Sequence, residues 1–487
     1  MFIRKHVVKV LKRVLNQDCI QLLYFESMIP DITPEQLEGL KQRFQSGLLA
    51  AYKARIQILK QLKQSVLRNE AAIYDALKAD LHKSKEESWV TEIGITIAEI
   101  DHAIRHLKQW MRPRRVATNL VNLPSASYLY PEPLGVVLII APWNYPFMLL
   151  LGPMVGALAA GNLVVVKPSE YAPATEKILG KIIQETALQQ EILFAPGNGA
   201  VVVPAMMQSF RFDHVFFTGG TKVGKKIYEM AASKLVPVTL ELGGKSPCIV
   251  EEDARVEVAA RRIAVAKFSN AGQICIAPDY LLVHERIREK LVEAIKLNIR
   301  KFYGENPQQS GDYCRIINKS HFDRLNSYLK GGGLLHGGNS DERDLYIEPT
   351  LIKPESLSVP IMQEEIFGPI LPVFSFSTKE EALAIVHQHP NPLAFYVFTS
   401  SSKKEEDWIQ AIPAGTGCIN NAAWQFTNAA LPFGGRGDSG IGAAHGKFSF
   451  DRFTHYKAVM KTPAWFDPAI KYPPMKGKLS LYKKVIG

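Results

Sequence analysis

The sequence predicts an α/β chain, built from parallel sheets covered by helices on both faces, in two successive units with a smaller extended β arm. Three observations carry this. First, no charged residue occurs between Glu132 and Lys167, yet Pro142, Pro146, Gly152, Pro153, Gly156 and Gly161 punctuate that run. It therefore divides into strand Leu134–Ala141, turn Pro142–Pro146, buried helix Phe147–Ala160 and strand Leu163–Val166 instead of crossing a bilayer. Two apolar strands joined by an apolar helix make a βαβ unit buried on both sides. Second, the pattern continues with a helix over Ala174–Gln190, a short strand near Ile192–Ala195, a helix over Gly199–Gln208 and strand His214–Thr218, which ends in the glycine turn Gly219–Gly224. Third, beyond Glu241 the order starts again, with strand Pro247–Val250, helix Val256–Asn270, a cysteine turn, strand Tyr280–His284 and helix Arg286–Lys301.

The remaining elements fit around these. Residues 1–27 place Arg4, Lys5, Lys9, Lys12 and Arg13 around Val7, Val10, Leu11 and Val14, a basic amphipathic pattern. That segment is a surface helix, a leader upstream of a start at Met28, or a peripheral contact with an anionic membrane. From the N-cap Thr33 to Trp110 the chain reads as amphipathic helices without chemistry. The stretch Pro113–Pro133 reads as a hairpin or extended arm suited to a subunit contact. Gly331–Gly333 and Gly337–Gly338 frame a surface loop. A strand over Ile370–Phe376 follows, and Leu431–Gly440 forms a flexible loop before the aromatic segment Phe448–Tyr456.

Composition narrows the function. At 487 residues with 22% charged, the chain is a globular protein of two or three domains. Its +11 charge is interleaved with acids outside the N-terminus, and no nucleic-acid motif is present. The cysteines Cys19, Cys248, Cys275, Cys314 and Cys418 are scattered and lack CxxC spacing, which argues against a disulfide framework or a metal site and for a reducing, cytoplasmic setting.

Chemistry concentrates in two stretches, Glu241–Pro247 and Gly272–Pro278. Glycine before Cys275 removes the Cβ that would crowd an approaching ligand, so Cys275 is either a nucleophile or a small buried apolar side chain. Glu241 is either a base or an ordinary strand-end carboxylate. Gly219–Gly224, between a strand and a helix, suits a phosphate, although many such turns are glycine-rich for packing alone. Lys167–Glu170 lies at the sheet edge where ligands gather, and a carboxylate there suits ribose hydroxyls.

Six stretches, in order, resemble the aldehyde dehydrogenase family: Pro142–Pro146, Lys167–Glu170, Phe217–Gly224, Leu240–Lys245, Gly272–Cys275 and Glu365–Pro369. The similarity runs from about Met28 to Pro474. Cys275–Tyr280, His445–Lys447 and Tyr472–Pro474 resemble the class 3 branch, which includes fatty and aromatic aldehyde dehydrogenases. The resemblance implies an aldehyde dehydrogenase-like α/β fold, with a Rossmann-type cofactor domain (28–112 and 131–240), an α/β catalytic domain (241–430) and a small β oligomerisation arm (113–130 and 431–460). Residues 1–27 form an N-terminal extension and 461–487 a C-terminal tail that lacks the hydrophobic anchor of the fatty aldehyde enzymes.

The implied reaction is NAD(P)-dependent oxidation of medium- or long-chain aliphatic or aromatic aldehydes to acids. Cys275 forms a thiohemiacetal and then a thioester, Asn144 and the Cys275 N–H hold the oxyanion, and Glu241 activates water. Cofactor contacts fall to Trp143, Lys167, Glu170, Gly219, Gly224, Glu365 and Phe367. NAD is expected to be preferred and NADP tolerated, since Glu170 opposes a 2′-phosphate. Tyr145, Met148, Phe268 and Ile274 are expected to border an apolar substrate tunnel. A homodimer is expected, and neither a metal nor a nucleic acid. A CoA-acylating enzyme would lack a base at Glu241, a catalytically silent protein would not need Cys275, and a papain-like hydrolase would need a histidine partner that no pattern supplies.

Overall fold

The computed structural model describes residues 32–185 and 190–486; the segment 1–27, for which a helix and a membrane contact are expected, lies outside them. Thr33 opens the first helix, Pro34–Gln45, through a reciprocal capping box with Gln36. Helices Tyr52–Arg68, Glu70–Leu81 and Gly94–Trp110 follow, the last preceded by a single π turn over Trp89–Ile93.

Strands β1 (Arg114–Val116) and β2 (Ala126–Pro133) come next, then β3 (Val136–Ile140), β4 (Leu163–Lys167), β5 (Ile192–Phe194), β6 (His214–Thr218) and β7 (Val238–Glu241). Those after Glu241 are β8 (Pro247–Val250), β9 (Tyr280–His284), β10 (Gly332–His336), β11 (Ser340–Asp341), β12 (Tyr346–Ile347), β13 (Thr350–Pro354), β14 (Ile370–Phe376), β15 (Ala394–Phe398), β16 (Thr416–Ile419), β17 (Gly440–Ile441) and β18 (Thr454–Lys461).

One sheet has the order β17-β7-β6-β3-β4-β5, parallel except for β17. Every residue of β3 and β4 is buried, as continuous apolar strands require when helices cover both faces. The all-apolar helix Met148–Ala160 covers one face and stops at Gly161, whose φ of +95° closes the C-cap. A second sheet, β10-β13-β14-β9-β8-β15-β16, is parallel except for β10. Each sheet has its own core, the first joined by the N-terminal helices. β1, β2 and β18 form a third, antiparallel sheet, with Thr454 opposite Pro133 and Lys461 opposite Ala126.

Two expectations need correction. The glycines at 332–333 belong to edge strand β10, paired with β13, not to a loop; without side chains there, Lys353 O and the Gly332 backbone approach closely. The helix expected to reach Gln190 ends at Gln184.

Candidate active site

The C-terminal edge of the first sheet collects the candidate residues. β3 has β4 on one side and β6 on the other, so the chain leaving β3 crosses the point where strand order reverses, the place where open sheets bind ligands. Trp143 and Asn144 leave from there, Lys167 ends β4, Gly219 follows β6 and Glu241 ends β7. The Glu241 backbone is fixed, since its carbonyl accepts the Gly219 N–H at 3.0 Å and the strand pairs with Gly440.

The cysteine turn is strained and tightly held. Asn270 and Ala271 both adopt φ of +49°, a left-handed conformation costing about 1–3 kcal/mol for a side-chain-bearing residue. Several bonds over-determine it. The Asn270 amide donates to the carbonyls of Asn144 (2.9 Å) and Gln273 (3.2 Å), and the Asn270 N–H to Glu87 Oε1 (2.8 Å). Gln273 donates to the carbonyls of Asn270 and Arg315 and accepts the Ile317 N–H. Gly272, at φ +72°, packs so closely on the Gly368 carbonyl that a Cβ would sit 2.2 Å from its oxygen. The cysteine turn and the Glu365–Gly368 loop are thereby in direct contact.

Several polar side-chain atoms around this turn lack partners. Both oxygens of Glu241 are buried without a hydrogen bond, as are Glu365 Oε1 and Asn144 Oδ1. Burial raises the Glu241 carboxyl well above its usual range. It also lifts Glu365 to about 8, with Asp279 adding to the effect. The Cys275 thiol is pushed to about 12 by burial, then by Glu365 and Glu241, while its own N–H and that of Ile276 oppose the shift. Asn144 is buried, with Nδ2 donating to Gln273 O at 3.0 Å.

On the cofactor side, Lys167 Nζ lies 3.3 Å from Glu170 Oε2, and Glu170 Oε1 accepts the Gly199 N–H at 2.9 Å. Gly224 sits one turn into the helix Thr221–Ala232, its N–H donated to Gly220 O at 3.0 Å. A Cβ there would come 2.6 Å from Leu242, so this glycine permits close packing, while the turn itself is Gly219–Gly220. Phe367, at φ +49°, meets Trp143 edge-on with ring centroids 5.2 Å apart. Gly243 lets the Glu365 carboxylate pack against the backbone, since a Cβ there would lie 2.0 Å from Glu365 Oε2, and Glu365 Oε1 is left as a buried acceptor without a partner, a donor set that suits a hydroxyl-bearing dinucleotide.

A cavity of about 980 Å³ opens onto Cys275 and Glu241, lined mainly by apolar side chains including Tyr145, Met148, Ile274 and Phe426. Phe268, expected in its wall, is wholly buried in the second core; the last turn of its helix presents Val265 and Ala266 to the cavity instead.

The N-terminal helices, expected to hold no chemistry, supply part of this site. Lys83 and Glu92 form a wholly buried ion pair of 2.5 Å. Lys83 donates to Asn144 O at 3.1 Å and lies over the Tyr145 ring, while Glu92 Oε2 accepts the Phe147 N–H at 2.9 Å. Glu92 lies in the π turn, and a lysine and a glutamate nine residues apart in otherwise amphipathic helices were the only sequence signal. Among the described residues, no group of His, Cys, Asp and Glu is placed to hold a metal, and no helix is long and apolar enough to cross a membrane.

Residues 42–459 match the aldehyde dehydrogenase family. The chain is 45% identical over 429 residues to a 4,4'-diaponeurosporen-aldehyde dehydrogenase of Staphylococcus aureus, covering 87% of this chain and 93% of the relative. It is 41% identical to an aldehyde dehydrogenase family 3 member H1 of Arabidopsis thaliana, covering 92% and 93%. The structure superposes on a substrate-bound state of Staphylococcus aureus AldH with a TM-score of 0.91 and 42% identity, covering 94% of this chain and all of that one.

Proposed function

The chain belongs to the aldehyde dehydrogenase family, and from that membership we propose that Cys275 is its nucleophile, Glu241 its hydrolytic base, and Asn144 with the Cys275 N–H its oxyanion site. The protein oxidises aldehydes to carboxylic acids with a nicotinamide dinucleotide. The observation supporting these roles is that Cys275 and Glu241 open on one cavity, with both Glu241 oxygens buried and unpartnered.

Sγ of Cys275 adds to the aldehyde carbon, making a thiohemiacetal on the protein. Its own N–H and that of Ile276 favour the thiolate needed for attack, against the burial that disfavours it. One Asn144 amide N–H is engaged with Gln273, and the other, with the Cys275 N–H, is assigned to the oxyanion. Lys83 and Asn270, both bonded to Asn144 O, fix that residue in place. The dinucleotide, when bound, accepts the hydride, and the protein is left carrying a thioester. Glu241 then takes a proton from water, for which its raised proton affinity suits it, and the attacking hydroxide releases the acid and the free thiol.

Trp143, Lys167, Glu170, the Gly219–Gly224 turn, Glu365 and Phe367 would hold the cofactor. We assign NAD as preferred, because a 2′-phosphate would meet the Glu170 carboxylate. The cavity suits medium- or long-chain aliphatic or aromatic aldehydes, and the relative named for a diaponeurosporen-aldehyde supports a long apolar substrate. The β1-β2-β18 sheet, with edges β1 and β18, is the proposed homodimer contact, in the cytoplasm. Residues 1–27 are the proposed anchor if the protein co-sediments with anionic vesicles, and deleting them would then abolish it.

The test is to mix enzyme, NAD and a medium-chain aldehyde without CoA. Acid should form, and mass spectrometry of the Glu241→Gln variant should find the acyl group on Cys275. Acylation elsewhere, or strict dependence on CoA, would overturn the assignment.

A further inference from the structure

The cavity carries a charge pattern opposite to that of the chain. The protein has a formal net charge of +11. Yet the cavity is lined by five carboxyl side chains, Glu86, Glu87, Glu99, Glu241 and Asp312, against one permanent cation, Arg105. Arg105 is drawn toward its own helix, Nε donating to Asp101 O at 3.2 Å. The two histidines in the lining add little positive charge, since burial lowers His102 and takes His445 down to about 4.

Among these acids Glu87 is the one hydrogen-bonded to the nucleophile's turn. Oε1 accepts the Asn270 N–H at 2.8 Å and Oε2 accepts the Cys314 thiol at 3.3 Å. Asn270 lies five residues before Cys275 in the strained stretch. With both oxygens held, the carboxyl keeps its place when a substrate enters. Burial raises this carboxyl above its usual range, while Lys83, the Cys314 thiol and the Asn270 N–H pull it back toward the ionised form.

Resting on the reading of this cavity as the aldehyde passage, we propose that Glu87 sets the charge specificity of the enzyme: aldehydes with an uncharged tail pass, and those carrying a carboxylate at the far end are rejected. Like charges in a passage with mainly apolar walls repel more strongly than they do in water. The same force acts on the product. Oxidation turns a neutral carbonyl into a carboxylate inside an acidic passage, so the repulsion is absent during entry and present during release.

The experiment uses the full-length enzyme, NAD and two six-carbon aldehydes, one ending in a methyl group and one in a carboxylate. The readout is the ratio of kcat/KM for the carboxylated over the plain aldehyde. Both substrates meet the same nucleophile, so any change in folding or in Cys275 geometry cancels in that ratio. In Glu87→Gln, which keeps an acceptor for Asn270, the ratio should rise about tenfold or more. In Glu87→Asp, which keeps the charge, it should stay low. Hexanoate should inhibit Glu87→Gln at correspondingly lower concentration. A ratio unchanged by Glu87→Gln, or a wild type that uses both aldehydes equally well, would overturn the inference. A wild type that oxidises neither would instead overturn the aldehyde reading of the cavity on which it rests.

Discussion

Glu241 and Lys245 are four residues apart, as are Cys275 and Asp279, so the two stretches that meet at the active site meet again one turn of chain later. The two meetings are opposites. At the first, Glu241 has no partner on either oxygen, and Cys275 faces a cavity. At the second, Lys245 and Asp279 form a buried ion pair, with side chains 3% and 4% exposed. Lys245 also donates to the carbonyls of Ile361 (3.0 Å) and Glu364 (2.9 Å), and Asp279 Oδ1 accepts the Ile366 N–H at 2.9 Å. The saturated pair thus brackets Glu365 from both sides and holds it beside the cysteine turn, with Oε1 unpartnered. Polar groups left unpaired mark where ligand and reaction are received; paired ones mark the frame that keeps them unpaired.

The sharpest separation should come from Cys275→Ala. Loss of the nucleophile should lower kcat by at least about 10³-fold, while the thermal midpoint stays within a few degrees. A midpoint that collapses with activity would mean Cys275 belongs to the frame. Lys245→Met should do the reverse. It removes the cation hydrogen-bonded to Asp279 and leaves only the buried Lys267 near that charge, and chemical denaturation should show a loss of about 3–5 kcal/mol. The double variant Lys245→Met, Asp279→Leu should regain much of that stability, because removing both charges removes the burial penalty. If the single variant is as stable as wild type, the pair is not part of the frame.

Next in size is Glu241→Gln. Steady-state acid formation should fall about 10²–10³-fold, within the usual range for a general base. One equivalent of NADH per active site should still appear in a rapid burst, since the base is assigned only to hydrolysis of the thioester. Absence of the burst would place Glu241 earlier in the reaction. The variant should not lose stability, because an amide is easier to bury than an unpartnered carboxylate.

The paired and unpaired regions were not equally legible in the sequence. β3 and β4 could be read from a charge-free run cut by Pro and Gly, since burial on both faces leaves a local compositional trace. Cys275, Glu241 and Glu365 were singled out by their resemblance to a family's motifs; the residues alone left Cys275 open as a small buried side chain and Glu241 as an ordinary strand-end carboxylate. Glu87 and the Lys83–Glu92 pair were not singled out. Each looks like one more charge on a solvated helix, and only the tertiary approach of that helix to Asn144 and Asn270 turns them into buried groups. Phe268 failed for the complementary reason: it follows the apolar period of its helix, and which side of a helix end faces a core or a cavity is decided by the neighbouring sheet.

The last prediction tests whether burying the Glu365 carboxyl destabilises the resting protein. Its carboxyl is held at about 8 in the fold against an ordinary 4.5, burial contributing most and the Asp279 charge next. Below pH 4.5 folded and unfolded chains both keep this proton, and the site has no bearing on stability. As pH rises to about 8 the unfolded chain releases the proton first, so the native state is progressively disfavoured; above that both are ionised and the loss is complete. Glu365→Gln removes this titration. Its stability relative to wild type should therefore climb between those two pH values and then level off. Unfolding midpoints for both proteins across that range measure it. A difference that is flat with pH would mean that burial does not hold the Glu365 proton in the resting enzyme.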